Sequence, residues 1–186
     1  RGEDVISRII FAIKDDGDKK LRDLVEGTIN DLLKQVCKKV KTSSREVIKV
    51  TLSGNSTMMH LFLGIPASSI RLTPFITAVN HIPLLTASDV GLKIHPGAVV
   101  DCLPGVASYV GADISAGVLS SGMAKSEEMV LFLDVGTNGE TVLGSKDWLV
   151  TCACSAGPAF EGGGVLHGMR ATEGAIEEVW IDDETY

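Results

Sequence analysis

Apolar residues recur at helical spacing through the first forty positions of the chain. A short run covers residues 4–13, and a longer run forms one continuous stripe over residues 19–41. The acidic break between them ends at Asp18, a residue type that favours the first position of a helix. Lysines gather toward the end of the second run, where cations suit the helix dipole and where a solvated face is typical. The pattern predicts two helices, with Asp18 capping the second.

An alternating run rich in β-branched residues predicts a first strand at residues 46–52. A Ser-Gly-Asn-Ser-Thr segment and a short apolar run follow it. A strand, a turn and a capped helix leave free backbone N–H groups at the strand end where open α/β sheets bind ligands, so the turn is a candidate ligand site. A well-capped helix with Gly64 as its C-cap explains the pattern equally well. We expect His60, which lies among apolar residues, to be a core histidine.

The middle of the chain has the weakest periodicity. Residues 65–97 contain four of the six prolines and predict a long irregular excursion. A short strand at residues 98–102 and a helix of unusually small residues at 106–123 follow. Such a helix is suited to lie close to another backbone. Asp113 within it indicates either a hinge helix with a carboxylate near a metal or phosphate, or tight packing with a solvated aspartate.

Residues 130–144 carry the strongest local signal. Two apolar runs flank a Gly-Thr-Asn-Gly segment at residues 136–139, and Asn-Gly between strand-like runs predicts a hairpin turn because both residues tolerate positive φ. Uncovered N–H groups at glycines bind anions, and Asp134 could hold a hydrated divalent cation beside a phosphate. An ordinary hairpin with a solvated aspartate fits the pattern as well.

A third strand is predicted at residues 148–153, which makes an antiparallel meander with the hairpin. A glycine-rich loop at residues 155–164 follows, as a second place where bare backbone could meet a phosphate or sugar. Farther on, Arg170 either meets a phosphate or pairs with Glu173.

Composition excludes several classes of protein. A chain of 186 residues with 45% hydrophobic and 22% charged content can bury a core as one large or two small domains. The net charge of −7 argues against nucleic acid and anionic membranes as partners. No apolar run approaches the roughly 20 residues that span a bilayer, and we expect a cytoplasmic protein.

The four cysteines are too few and too scattered for a disulfide framework. Cys152 and Cys154 alternate along a predicted strand, so both thiols share one face. A metal pair is one interpretation, but core or site-lining thiols in a reducing cytosol are favoured over it because a structural zinc site needs four ligands.

Segments spread over nearly the whole chain resemble one known family. The hairpin is similar to the Asp-x-Gly-Thr phosphate hairpin of the actin, sugar kinase and Hsp70 ATPase superfamily. In chain order, the matching segments are GEDVISRI (2–9), SGNSTMMH (53–60), PF (74–75), FLDVGTNGE (132–140), GPAFEG (157–162) and GMRA (168–171). Together they resemble the reductive activators of corrinoid proteins.

The resemblance implies an α/β, ribonuclease H-like fold with mixed sheets and flanking helices, truncated at both ends. Residues 1–124 would be the C-terminal part of a first lobe, with an irregular insertion at 65–97 and a connecting helix at 106–123. Residues 125–186 would be the N-terminal part of a second lobe. A first phosphate hairpin before residue 1 and an adenosine-contacting segment after residue 186 would be missing, so we expect this chain to be inactive alone.

The resemblance also implies a function for the whole protein. ATP hydrolysis, with Mg²⁺, would drive electron transfer from a [2Fe-2S] ferredoxin domain that this chain lacks, and would restore cobalt(II) corrinoid to cobalt(I). The partner would be a corrinoid iron-sulfur protein or a corrinoid methyl-carrier protein, with no nucleic acid and no membrane. Because open apolar edges can pair with a second copy, a homodimer is also among the expected assemblies.

Roles follow from the resemblance residue by residue. Asp134 would be catalytic and would orient Mg²⁺ through water. The nucleotide and phosphate contacts would be Gly136, Thr137, Asn138, Gly139, Gly157, Gly162, Gly163, Asn55 and Ser56. Lobe rotation about the small-residue helix would couple hydrolysis to the surface offered to the corrinoid protein.

Two alternatives from other classes stay open. The first is a docking module that keeps the fold and binds the corrinoid partner without nucleotide chemistry. The second is a kinase or activator of the same superfamily; a dehydratase-type activator would hold a [4Fe-4S] cluster with its own cysteines, for which Cys152 and Cys154 are the only close pair.

Overall fold

The computed structural model describes residues 4–136, 138–155, 157, 166–169, 173–176 and 178–179. Four α-helices are described: α1 (Val5–Ala12), α2 (Gly17–Lys39), α3 (Ser56–Leu63) and α4 (Ala112–Ser121). Six strands form two three-stranded sheets: β1 (Lys49–Leu52), β2 (Leu85–Thr86), β3 (Val99–Cys102), β4 (Val130–Val135), β5 (Asn138–Gly144) and β6 (Leu149–Ser155). No helix in the described ranges is long and apolar enough to cross a membrane.

The two predicted N-terminal helices are present, but the predicted cap of the second is wrong. α2 begins at Gly17, and its cap position is Asp16, which adopts a left-handed φ of 51° and makes no capping bond through its side chain. A side chain at Gly17 would collide with the carbonyl oxygen of Phe11. Where the chain returns close to Phe11, the helix starts two residues earlier than the acidic pattern predicts, and Asp18 lies inside its first turn.

The first sheet has the order β1-β3-β2, with β1 parallel and β2 antiparallel to β3. The predicted strand at residues 46–52 is shorter in the structure, because Ser44–Glu46 form a 3₁₀ turn capped by the Ser43 hydroxyl. One face of this sheet enters the main core with α2, α3 and the excursion. The buried members of that core are Met59, Phe62, Ala87, Val90, Leu92, Ile94, Ala98, Val100, Cys102 and Ala112.

The excursion at residues 65–97 is irregular, as predicted, yet it supplies much of the core. Within it the structure describes a 3₁₀ turn at Ser68–Ile70 and the two-residue strand β2. Its first part packs through Ala67 and Ile70 against Ile9 of α1. Its last part contributes four side chains to the main core, so both of its ends are anchored by burial.

The small-residue helix is shorter than the predicted 106–123. α4 begins only at Ala112, because the N–H groups of Val106 and Ala107 both bond to the Val110 carbonyl and close a tight turn first. It ends at Gly122, whose φ of 73° terminates the helix.

The predicted meander is confirmed as the antiparallel sheet β4-β5-β6. α4 packs on one face of it, where Val142, Ile114 and Met123 are buried. The predicted Asn138-Gly139 turn is wrong: both residues belong to β5, Gly139 pairs with Val135, and Asn138 pairs with Ser155. Pairing along both edges of β5 fixes the register and moves the reversal toward Gly136.

Candidate functional site

The start of α3 is a well-formed helix cap. Asn55 accepts a hydrogen bond from Met58 N–H at 2.9 Å, and Gly64 ends the helix in the left-handed region. His60 is buried, its Nδ1 lies 2.6 Å from the Ser56 carbonyl, and its Nε2 accepts from Ala78 N–H at 3.1 Å. It is the satisfied core histidine that its apolar surroundings predict, and burial lowers its pKa.

The beginning of α4 lies directly against the beginning of α3. The N–H groups of Ala112 and Asp113 point to the Gly54 carbonyl, at 3.0 and 3.3 Å. A Cβ added at Gly111 would stand 2.6 Å from Asn55 Cα and 2.7 Å from Asp113 Oδ1, so this approach requires glycine. The N-termini of α3 and α4 therefore meet beside the carboxyl end of β1. The positive ends of both helix dipoles lie close together there.

Three carboxylates face one another between α4 and the meander. Asp134 and Glu140 stand opposite each other on β4 and β5, and Asp113, in the first turn of α4, lies near enough for its charge to interact with theirs. Burial raises the pKa of Asp113, and the negative charge of Asp134 raises it further. Burial also raises the pKa of Glu140, with added contributions from Asp113 and Asp134. The group is short of positive charge, which is the electrostatic condition for attracting a cation.

Oxygen-only ligands of this kind suit Mg²⁺. Among the described residues, however, no three His, Cys, Asp or Glu side chains are close enough together to form a ready metal site. The three carboxylates therefore interact through space without forming a direct coordination cage.

A cleft of about 370 Å³ opens at the start of β5, and none of these three carboxylates lines it. One wall comes from the start of α1 and Tyr109, and the other from Asn138, Ser155 and Gly157. The cleft thus joins the first half of the chain to the end of the hairpin and the beginning of the glycine-rich loop.

The hairpin glycines differ from the expectation of bare backbone. Gly136 N–H already donates to the Asn138 carbonyl at 2.9 Å, and Gly139 pairs with residues on both neighbouring strands. Thr137, Gly162, Gly163 and Arg170 lie outside the described residues, as does most of the glycine-rich loop.

The four cysteines divide into two pairs. Cys37 and Cys102 are buried, whereas Cys152 and Cys154 are exposed on one face of β6. The Cys152 thiol, hydrogen-bonded to Cys154, raises the pKa of Cys154. In the part of the chain that the structure describes, the exposed pair has no further Cys, His, Asp or Glu that would complete a metal site.

Sequence reasoning gave no role to Glu140, Tyr109 or Gly111. The position of Glu140 could have been found, because strand alternation and hairpin register place it opposite Asp134. Tyr109 and Gly111 carry no local signal, since their positions depend on contacts between distant segments. For Asp113, the solvated aspartate of the second interpretation is wrong, because its carboxyl is partly buried and feels the charge of Asp134, whereas the tight packing of that interpretation is present at Gly111 and Gly117. A hinge role with a metal or phosphate nearby stays a prediction.

Comparison with known proteins covers the chain almost completely. Residues 1–126 match a family model described as the RACo middle region, and residues 128–186 match one described as the C-terminal domain of RACo, the ASKHA domain. The latter is the actin, sugar kinase and Hsp70 fold, so the predicted fold class is confirmed.

Individual relatives agree with the family models. The corrinoid activation enzyme RamQ of Eubacterium limosum is 38% identical over 98% of this chain and 30% of its own length. The [Co(II) methylated amine-specific corrinoid protein] reductase of Methanosarcina barkeri is 40% identical over 41% of this chain and 14% of its own length.

A solved structure, a reductive activator for corrinoid, iron-sulfur protein, is 54% identical. It superposes with a TM-score of 0.84 over 97% of this chain and 29% of its own. The chain therefore spans less than a third of the length of these relatives. With both family models matched in order, the chain belongs to the RACo family of reductive activators of corrinoid proteins.

Proposed function

We propose that the whole protein is an ATP-dependent reductive activator that restores a cobalt(II) corrinoid protein to the cobalt(I) state. The observation that carries this proposal is the electrostatic interaction of Asp113, Asp134 and Glu140 at the start of α4, where two helix N-termini meet. A 370 Å³ cleft opens at Asn138, two residues from Glu140 along β5. Catalysis of phosphoryl transfer consists mostly of positioning and charge stabilisation, and both can be supplied by such an arrangement.

The carboxylate group suits a hydrated Mg²⁺. Its ligands are hard oxygen donors, and the pKa values of Asp113 and Glu140 are raised chiefly by burial and further by the neighbouring carboxylates, which a cation would offset. Asp134 would hold the ion through water, with Asp113 and Glu140 fixing its hydration shell. When bound, Mg²⁺ would neutralise phosphate charge.

Phosphate would be held by residues around the cleft. Asn138 and Gly157 already line it. Ser56 does not line it; its hydroxyl is bonded to the Ala107 carbonyl, and its proposed contribution is the dipole at the start of α3, which favours an anion. The other proposed contacts are Asn55, Gly136, Thr137, Gly139, Gly162 and Gly163.

Coupling to the corrinoid protein would run through α4. We propose that the boundary of the two lobes lies between residues 124 and 125, just after this helix. The helix packs closely against β4, because Gly117 lies directly against the Phe132 ring. Rotation of one lobe against the other would alter the surface offered to a corrinoid iron-sulfur protein or corrinoid methyl-carrier protein. The electrons would come from a [2Fe-2S] domain outside this chain.

Titration calorimetry and ATP turnover of the whole protein test the proposal. Asp134→Asn should reduce turnover by on the order of 100-fold, the usual scale for removing one charge-positioning group. Asp147→Asn, at an exposed site between β5 and β6, is the matched control and should leave turnover unchanged. If the unmodified protein shows no heat with ATP and Mg²⁺ but still binds a corrinoid protein, the non-catalytic docking module is correct instead.

A further inference from the structure

A segment of the excursion, here called the strap (residues 71–82), is hydrogen-bonded to the turn that precedes α4. The Asn80 carbonyl accepts from Gly105 N–H at 2.8 Å, and its side-chain amide donates to the Val106 carbonyl at 3.4 Å. The Ser108 hydroxyl donates to the Phe75 carbonyl. The strap therefore contacts the turn at two places, through Asn80 and through Phe75.

The same turn is held from the opposite side by α3. The buried Ser56 hydroxyl donates to the Ala107 carbonyl at 2.8 Å. His60 joins the two supports, because one ring nitrogen contacts the Ser56 carbonyl and the other accepts from Ala78 N–H in the strap. The turn is thus clamped between the strap and α3.

Movement of this turn would reach the candidate site directly. Only Gly111 separates its last residue, Val110, from α4, and Gly111 has no free space against Asn55. The first turn of α4 carries Asp113, while Tyr109 within the clamped turn lines the cleft and contacts the Phe75 ring at a centroid distance of 6.1 Å.

We propose that Asn80 and Ser108 are positioning residues of the nucleotide site, and that their hydrogen bonds set the place of Asp113 and Tyr109. The hydrogen bonds to the turn do not depend on the proposed function, whereas their expected effect on ATP turnover rests on it. Neither residue touches the carboxylates, so both act through the turn.

Hydrogen exchange of individual amides in this chain tests the clamp without nucleotide. Asn80→Ala and Ser108→Ala should each speed exchange at Ala112 and Asp113 by roughly tenfold relative to β3, the effect of losing about one hydrogen bond. Ser108→Thr, which keeps the hydroxyl, should restore protection. Thr86→Ala is the matched control, because it removes a hydroxyl bond to Asp89 at the far end of the excursion.

Unchanged exchange at Ala112 and Asp113, or equal acceleration throughout the chain, would overturn the clamp. In the whole protein, Asn80→Ala should lower ATP turnover along with local protection; lost protection with full turnover would contradict the positioning role. If the unmodified protein hydrolyses no ATP, the proposed function fails, while the exchange result still decides whether Asn80 and Ser108 hold the turn.

Discussion

The two sheets of the molecule differ in the residues on the face that points away from the core. In the first sheet, Val50 and Val100 point into the main core, and the other face carries the Lys49–Asp101 ion pair at 3.3 Å. In the meander, α4 covers the face that bears Phe132, whereas Leu131 and Leu133 are exposed on the other.

This difference shows that strand alternation alone does not tell which face will be covered. The first sheet has the apolar-in, polar-out pattern of a sheet with one solvated side. The meander has apolar residues on both faces, and among the described residues only one of these faces is covered, by α4. The covered side also carries Asp134 and Glu140, so the packing of α4 and the chemistry of the candidate site share one surface.

The largest expected effect comes from adjacent residues on opposite faces of β4. Phe132→Ala should lower the free energy of unfolding by about 2–3 kcal/mol, because it empties the space beneath α4. Leu133→Ala should cost less than about 1 kcal/mol, because the Leu133 side chain is 57% exposed. Urea unfolding of this chain measures both, and equal costs would show that the two faces are buried alike.

The close contact between α4 and β4 gives the next effect. A Cβ added at Gly117 would overlap the Phe132 ring, so Gly117→Ala should destabilise the chain by about 1–2 kcal/mol despite its better helix propensity. Gly27→Ala in α2 meets nothing within 4 Å and should stabilise it by roughly 0.5–1 kcal/mol. Two stabilising substitutions would mean that α4 sits farther from the meander than described.

Much of the secondary structure follows from local pattern, and the errors have physical causes. The helices, the meander and the α3 caps are found because hydrophobic period and capping residues act within a few positions. The reversal at Asn138-Gly139 was misplaced because pairing with both β4 and β6 outweighs local turn preference. The start of α4 was misplaced because a turn held by distant segments precedes it.

The candidate site likewise contains some residues that local sequence pattern predicts and some contacts that it does not. Asp134 could be found at the end of a predicted strand, and Asn55 at the start of a predicted helix. The approach of Asp113 to Asp134 depends on how Gly117 meets Phe132, a contact between elements that no local pattern describes. Sequence patterns therefore permit two interpretations of Asp113, and the packing rules out only the solvated carboxylate.

The smallest effect should appear as a pH dependence of stability. The pKa of Asp113 is raised in the folded chain, chiefly by burial, so its ionised form is less favourable there than in the unfolded chain. Its contribution to stability is fully present below the unfolded value near 3.8 and is lost as pH rises through the raised folded value. Asp113→Asn removes that loss.

Thermal melts at a series of pH values measure this effect. Asp113→Asn should melt higher than the unmodified chain at pH 7, and the difference should shrink toward pH 4. The lost attraction between the carboxylate and the N-terminus of α4 works against this gain, but we expect the gain to be larger, because burial and Asp134 raise the pKa of Asp113 despite the backbone hydrogen bonds that lower it. If Asp113→Asn instead melts lower than the unmodified chain at pH 7, the Asp113 carboxylate is stabilised in the folded chain. The covered face of the meander would then impose no net electrostatic cost on Asp113, and its contrast with the first sheet would be one of packing alone.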